Sequence, residues 1–423
     1  MKIGMISLGC AKNQVDSEMI LGVFKKSDIT NDISKADIII VNTCGFIESA
    51  KKESIDTILE VLDYKKKVIV TGCLVERYYE DLKKSLPEVD LFIRIKDYPR
   101  IKKILKDYLD ENVKDFKEKN RILTTPKHLA YLRISDGCNN RCSYCAIPLI
   151  RGNYRSRLED DVYEEAVNLV NKGVKELVLI SQDTTRYGTD LGNTNIVKLL
   201  KRLETIPNVE FIRFLYLYPS DVTDELIETV KNSKVITPYF DIPIQHASNK
   251  MLKLMNRRDT IEKLYGLVER IRKAIPNAVI RTTVMLGFPY EEEEDFQILK
   301  KFVKDIRFDK LGGFTYSREE DTPGYSMPQV NKNTAKRRLN EIMHMQEKIS
   351  LEKGLERVGE IHKAIVEDFE GYYYICRSFA FAPDDVDGYL FVDSDTKLHN
   401  GDIINVEIID ADSYNLFGKK LDN

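Results

Sequence analysis

Ala130-Tyr-Leu-Arg-Ile134-Ser-Asp-Gly-Cys138-Asn-Asn-Arg-Cys142-Ser-Tyr-Cys145 joins a strand-length apolar run to a loop carrying three thiols. In β/α folds the loop after a strand is where chemistry is placed. Three cysteines this close in sequence are preorganised for one soft-metal centre. A structural zinc site would want a fourth ligand, and no Cys or His stands at short spacing on either side; His128 lies beyond the strand. A 4Fe-4S cluster held by three cysteines, in contrast, leaves one iron open to a small molecule. The competing reading is three unrelated buried cysteines or a partial zinc knuckle.

Working outward, residues 128–332 alternate apolar strands with helical patterns. The strands are expected at Ala130–Ile134, Glu176–Ile180, Glu210–Tyr216, Tyr239–Ile244, Val279–Leu286 and Lys310–Tyr316, with helices such as Asp161–Lys172 and Thr260–Ala274 between them. Six such units predict an α/β chain with a partial (β/α)6, TIM-like barrel that is active at the carboxyl ends of its strands. Residues 333–357 read as one charged amphipathic linking helix. Residues 358–423 turn to short β-rich runs, at Ile361–Val366, Tyr372–Arg377, Tyr389–Val392 and Ile403–Ile409, which suit a small antiparallel, OB-like β-barrel.

On the other side, residues 1–95 repeat the β/α alternation with strands at Lys2–Leu8, Asp37–Asn42 and Lys67–Thr71, and a helix at Ser49–Leu62. That pattern predicts a small parallel sheet. Lysine-rich residues 96–127, with Pro99 and Pro126, read as a connector containing a short helix. Cys10, Cys44 and Cys73 each follow one of the three strands, so a parallel sheet brings them to one edge. Gly9 and Gly72 precede two of them and permit tight turns. Three buried cysteines acting as small hydrophobes would not need the same strand-end position three times. Cys376, alone in a terminal-domain strand, reads as core.

Composition fits this picture. The 423 residues are 43% hydrophobic and 31% charged, with net charge -3 and seven cysteines. No apolar run approaches the roughly 20 residues needed to span a bilayer, and the N-terminus lacks the apolar segment of a signal peptide, so a cytoplasmic protein is expected. An odd number of cysteines without an export signal argues for metal or redox chemistry over disulfides. Charge is unevenly spread: residues 358–423 hold fourteen carboxylates against five lysines and arginines. Such a domain is expected to repel nucleic acid and to attract a basic protein, with Asp384, Asp385 and Asp387 on an exposed loop as first contacts.

The Cys-x3-Cys-x2-Cys loop resembles the radical S-adenosylmethionine (SAM) superfamily. That resemblance implies that Cys138, Cys142 and Cys145 hold a 4Fe-4S cluster whose open iron binds SAM, and that reduction cleaves SAM to a 5'-deoxyadenosyl radical. It places Tyr144 near the adenine. Thr283-Val-Met-Leu-Gly-Phe-Pro-Tyr-Glu291 is similar to a SAM-contacting segment of that superfamily, with Gly287 retained and Tyr290 where glycine is usual. Gln182 and Gln245, after the second and fourth strands, are candidate polar contacts on the same rim.

Over its whole length the chain resembles the methylthiotransferases, which carry an N-terminal auxiliary-cluster domain and a C-terminal TRAM domain. Ser-Leu-Gly-Cys10-Ala-Lys-Asn13, Asn-Thr-Cys44-Gly-Phe-Ile-Glu-Ser-Ala50, Ile-Ser-Asp-Gly-Cys138 and Gln182-Asp-Thr-Thr-Arg-Tyr-Gly188 look like the RimO branch, with Ala11 where proline is expected. The resemblance implies two 4Fe-4S clusters, the second on Cys10, Cys44 and Cys73, and methylthiolation of an aspartate in the basic small-subunit ribosomal protein twelve. It also implies an electron donor such as flavodoxin or ferredoxin, and no membrane or RNA partner. The rival readings are a related enzyme acting on a tRNA adenosine, and a non-catalytic iron-sulfur or zinc scaffold.

Overall fold

The computed structural model describes residues 1–110, 113–383 and 386–422. Its N-terminal part runs β1 (Ile3–Ser7), α1 (Ala11–Leu21), β2 (Ile38–Thr43), α2 (Glu48–Leu62), β3 (Lys67–Gly72), α3 (Cys73–Ser85) and β4 (Leu91–Ile93), followed by α4 (Ile101–Leu109). The four strands pair in chain order and all are parallel. β2 is buried throughout because helices cover both faces, which is why its sequence is a continuous Ile-Ile-Ile-Val run. The helix expected in the connector is α4. Its Ile101 and Leu105 pack into the same core as Ile3, Ile38, Ile69 and Ile93, so this stretch is an integral layer of the N-terminal sheet.

The barrel follows: β5 (Leu129–Arg133), a short pair β6 (Ser135–Asp136) and β7 (Arg155–Ser156) flanking α5 (Ile147–Arg151), then α6 (Glu159–Asn171), β8 (Glu176–Ile180), α7 (Ile196–Leu203), β9 (Phe211–Phe214), α8 (Asp224–Asn232), β10 (Tyr239–Asp241), α9 (Asn249–Leu254), α10 (Ile261–Ala274), β11 (Val279–Leu286), α11 (Glu293–Ile306), β12 (Lys310–Thr315) and α12 (Lys332–Leu355). Its six long strands form two parallel halves, β5-β8-β9 and β10-β11-β12. Two strands end earlier than their apolar sequence suggests. After β9 the chain turns at Tyr216, which takes a left-handed backbone conformation with φ 63°, and after β10 it leaves the ladder at Asp241 and rejoins β11 only in a single bridge between Gln245 and Val284. Alternate residues split between two cores: Leu132, Leu177, Leu179 and Ile212 meet the surrounding helices, while Leu129, Tyr131, Val178, Ile180, Tyr239 and Val279 point into the barrel.

The terminal barrel contains β13 (Ile361–Glu370), β14 (Tyr373–Ser378), β15 (Leu390–Asp393), β16 (Ile403–Ala411) and β17 (Leu416–Lys420), closed in the order β13-β14-β15-β17-β16. β17 is a strand the sequence pattern does not announce, and its pairing with β15 is parallel while the other pairs are antiparallel.

This domain closes the amino-terminal end of the large barrel. Ala380, Phe381 and Ala382 enter the barrel interior and share its core with α1 residues Ala11, Val15 and Met19. Around the apolar plug, Glu176 at the start of β8 pairs with Arg213 at 3.0 Å and with Arg377. Arg213 also donates to the Ser378 carbonyl at 3.0 Å. Burial opposes ionisation of Glu176, but Arg377 and Arg213 outweigh it and hold the carboxyl below its usual range.

The expected exposed contact loop needs correction at Asp387. Its carboxylate is buried, accepting from Arg281 Nε at 3.2 Å, from the Tyr239 hydroxyl and from the Ala382 amide at 3.1 Å. An Asp-rich turn reads as solvated in sequence, yet two of its partners, Tyr239 and Arg281, are more than a hundred residues away in the barrel. Asp384 and Asp385 lie outside the described residues.

Candidate active site

The carboxyl ends of the barrel strands and the cysteine-bearing edge of the N-terminal sheet face each other across one cavity of about 450 Å³. Its wall includes Cys138, Cys142 and Cys145 from the barrel and Cys10, Cys44 and Cys73 from the N-terminal part. Tyr144, Gln182 and Gln245 line it too. Gly287 does not. It sits beyond the wall at φ 74°, where a Cβ would come within 2.3 Å of Ala335 on α12, and donates its N–H to Glu291 Oε2 at 2.6 Å. Tyr290 adopts φ 64°, the left-handed conformation that glycine takes most readily, so the turn geometry is kept at a cost in strain.

Local backbone explains how the thiols converge. Cys10 is the N-cap of α1, with Gly9 before it at φ 91° and a Cβ there only 2.9 Å from Cys44 Cβ. Cys44 follows β2 directly, and its N–H bonds the Ser54 hydroxyl at 3.0 Å. Cys73 opens α3 after Gly72, which has φ 100°. Ala11 occupies the first position of α1, where proline would also be tolerated.

In the barrel loop, β6 and β7 pair at Ser135–Ser156 and Asp136–Arg155 to close its base, and Gly137 at φ 77° lets it pass within contact of the Asn153 carbonyl. The loop is then held from outside. Asn140 bonds Asp183 at 2.7 Å, Ser143 N–H bonds the Met255 carbonyl at 3.0 Å, and Gly324 N–H bonds the Ser143 carbonyl at 2.7 Å. The segment supplying Gly324 also supplies buried Glu319, which pairs with Arg77 at 3.0 Å and Lys51 at 2.9 Å on the N-terminal part. One loop thus braces both cysteine groups.

A second, buried network crosses behind the thiols. Arg151 pairs with Asp16 at 2.7 Å and bonds Asn13 Oδ1 at 2.9 Å, while Arg133 grips the other Asp16 oxygen. Asn13 Nδ2 bonds the Leu8 and Thr43 carbonyls at 2.9 and 3.0 Å, tying α1 to the ends of two strands. On the far wall, Arg257 is held by Asp259 at 3.3 Å and by the Pro243 carbonyl at 2.9 Å, and reaches the Tyr144 hydroxyl at 3.3 Å. Lys12 points to the cavity with its Nζ 3.6 Å from the centre of the Tyr216 ring. Lys12, Asn13, Asp16, Arg151 and Arg257 were not among the sequence candidates. The first two lie within the quoted Cys10 motif, but nothing in sequence pairs them with residues far along the chain.

These residues fit iron-sulfur centres and a SAM-sized ligand. All six thiols are free of disulfides. Burial pushes Cys138 up to about 11 and Cys73 to about 12, and raises Cys44 and Cys145 as well, so each is a protonated thiol until a metal displaces its proton. Among the described residues Gln182 Oε1 and Gln245 Oε1 are buried acceptors without partners, suited to a donor group on a ligand. Among the described residues no three His, Cys, Asp or Glu side chains gather around a single-ion position. A cluster that places each thiol on a different iron does not need such convergence.

Comparison with known proteins agrees with this architecture. Residues 132–303 match the Radical SAM superfamily, residues 2–94 match Uncharacterized protein family UPF0004, and residues 358–420 match the TRAM domain. Among solved structures, the radical SAM methyltransferase TsrM from Kitasatospora setae superposes with a TM-score of 0.58 at 12% identity, covering 77% of this chain and 75% of that one, which establishes the fold. Two curated relatives are named Ribosomal protein uS12 methylthiotransferase RimO. The one from Acetivibrio thermocellus is 46% identical, covering 99% of this chain and 98% of its own. The one from Caldicellulosiruptor saccharolyticus is 46% identical over 99% of both chains. At this identity, over essentially the full length of both partners, the chain belongs to the RimO family of ribosomal protein uS12 methylthiotransferases.

Proposed function

We propose that the protein replaces a hydrogen on the side-chain methylene of an aspartate in ribosomal protein uS12 with a methylthio group. The observation that carries this reading is the single cavity shared by six cysteines from two domains. Cys138, Cys142 and Cys145 hold the cluster that binds SAM, and Cys10, Cys44 and Cys73 hold a second. When bound, these cofactors supply the radical and the methylated sulfur that an unactivated C–H bond requires. The protein's own residues fix the geometry. Gln182 and Gln245 offer acceptors to the ligand, Tyr144 offers a ring face and Arg257 holds Tyr144 in place. The Arg151–Asp16–Arg133 network and the Glu319 brace keep the two thiol groups at constant separation. An electron donor of the flavodoxin or ferredoxin kind reduces the enzyme, and the reaction takes place in the cytoplasm. Among the described residues no helix is long and apolar enough to cross a membrane.

The test is mass spectrometry of uS12 and of bulk tRNA from a strain lacking the gene. Loss of the methylthio mass from uS12 alone is expected; loss from a tRNA adenosine instead would refute the substrate. Purified anaerobically, the protein should carry about eight irons. Alanine at Cys138, Cys142 and Cys145 together should remove about half of them and abolish SAM cleavage. Alanine at Cys10, Cys44 and Cys73 should remove the other half and abolish only methylthio product. Full iron in either variant would refute that cluster assignment.

A further inference from the structure

Three cations line the cysteine cavity: Lys12, Arg151 and Arg257. Two of them are committed. Arg151 is held by Asp16 and Asn13, and Arg257 by Asp259 and the Pro243 carbonyl. Among the described residues Lys12 makes no salt bridge and no hydrogen bond, and its ammonium rests against the Tyr216 ring. It is nevertheless only 8% exposed, which is unusual for a lysine without a carboxylate partner. Lys12 is also the second residue of α1, whose first turn has no acidic residue and no side-chain cap, so the helix N-terminus adds its own positive potential beside the ammonium.

Lys12 lies beside one thiol group and faces the other: it is two residues from Cys10 and lines the same cavity as Cys138, Cys142 and Cys145. The platform beneath it is fixed. Tyr216 takes a left-handed backbone conformation and its N–H is held by Asp241 Oδ2 at 3.0 Å, while Asp241 Oδ1 is held by Arg281 at 2.9 Å. A substrate carbon that must meet both reactive centres has to lie in this space. On the reading proposed above, that carbon is bonded directly to a carboxylate.

We propose that Lys12 is the specificity residue that receives the carboxylate of the substrate aspartate, holding the adjacent methylene between the two cysteine groups. The inference rests on the aspartate reading and adds to it the group that selects an acid over its amide. The Asp183 carboxylate, also on the wall, is satisfied by Asn140 and Thr185 and does not compete for the ammonium.

The experiment is a two-by-two comparison with the reconstituted holoenzyme. Wild type and Lys12→Met, which keeps the apolar stem and removes the charge, are each given ribosomal protein uS12 with either aspartate or asparagine at the target position. Loss of a charge-assisted hydrogen bond in a buried site predicts that wild type prefers aspartate by about ten- to a hundredfold in kcat/KM. Lys12→Met should reduce that preference to within about threefold, and Lys12→Arg should restore part of it. The same pattern should appear in equilibrium binding of the two uS12 forms without reductant, where no turnover occurs. Retention of the full preference in Lys12→Met would overturn the proposal. So would a loss of about half the iron in that variant, which would make Lys12 a support for the cluster on Cys10. Wild type that modified neither uS12 form would refute the substrate reading itself, and the role of Lys12 with it.

Discussion

Replacing Asp387 with alanine tests how the terminal barrel is attached. Three donors converge on this buried carboxylate: Arg281 Nε at 3.2 Å, the Ala382 N–H at 3.1 Å and the Tyr239 hydroxyl. Alanine leaves the hydroxyl and the amide without an acceptor, each at about 1–3 kcal/mol. Arg281 loses one of two carboxylates but keeps Asp241 at 2.9 Å, which limits the cost of breaking that ion pair. The expected total is on the order of 3–5 kcal/mol. Asp387→Asn keeps one accepting oxygen and should lose about 1–3 kcal/mol. Because three domains share the chain, the loss should be read as a lower urea midpoint together with faster proteolytic cleavage near residues 380–388. Asp395→Ala, on an exposed turn, serves as control and should shift stability by no more than about 0.5 kcal/mol. If Asp387→Ala unfolds at the control's midpoint, the carboxylate does not secure the domain and the argument fails.

Gly9→Ala should cost the cluster on Cys10, Cys44 and Cys73, because the new Cβ would meet Cys44 Cβ at 2.9 Å at a φ of 91°; iron content equal to wild type would contradict this. Tyr290→Gly should leave stability within about 1 kcal/mol, since relief of the left-handed strain offsets glycine's larger entropy cost; a larger loss would mean that the exposed Tyr290 ring contributes packing. His246 is buried with its Nδ1 accepting from the Ala247 and Ser248 amides at 3.0 Å each, and burial lowers its pKa to about 3. The folded chain therefore keeps it neutral while the unfolded chain takes up a proton near pH 6.5. Its stabilising share is complete above that pH and falls by about 1.4 kcal/mol per pH unit on acidification towards 3. His246→Gln should remove that slope between pH 6.5 and 5, and curves for wild type and variant that stay parallel would count against it.

Much of the architecture is legible in the sequence because it is written in short-range pattern. The Ile38–Val41 run, the continuous apolar run Leu177–Ile180 of β8 and the placement of Cys10, Cys44 and Cys73 after strands all follow from local pattern and chain direction. Tyr144, Gln182 and Gln245 reach the cavity for the same reason, as residues just past strand ends or inside the cysteine loop. What escapes is long-range. β17 ends in Lys-Lys and contains Gly418, so it reads as a tail until β15 and β16 flank it. Gly287 has the composition of a ligand-contacting turn, but what demands its missing side chain is Ala335 on α12. Lys12 and Arg151 look like ordinary surface cations, and only folding shows one committed to Asp16 and the other left facing the cavity.

The apolar plug of Ala380, Phe381 and Ala382 bears on how such enzymes can be recombined. A terminal domain tethered only by a linker could be exchanged between relatives as a cassette, and substrate choice would travel with it. Here the domain completes the large barrel's interior, meets Glu176 and Arg281 through buried ion pairs and accepts hydrogen bonds from Arg213 at the Ser378 and Phe379 carbonyls. A chimera joined at residue 358 would therefore inherit unmatched ions and a void before it inherited any new specificity. Productive grafts would have to move the plug, its ion partners at the strand starts and the terminal barrel together.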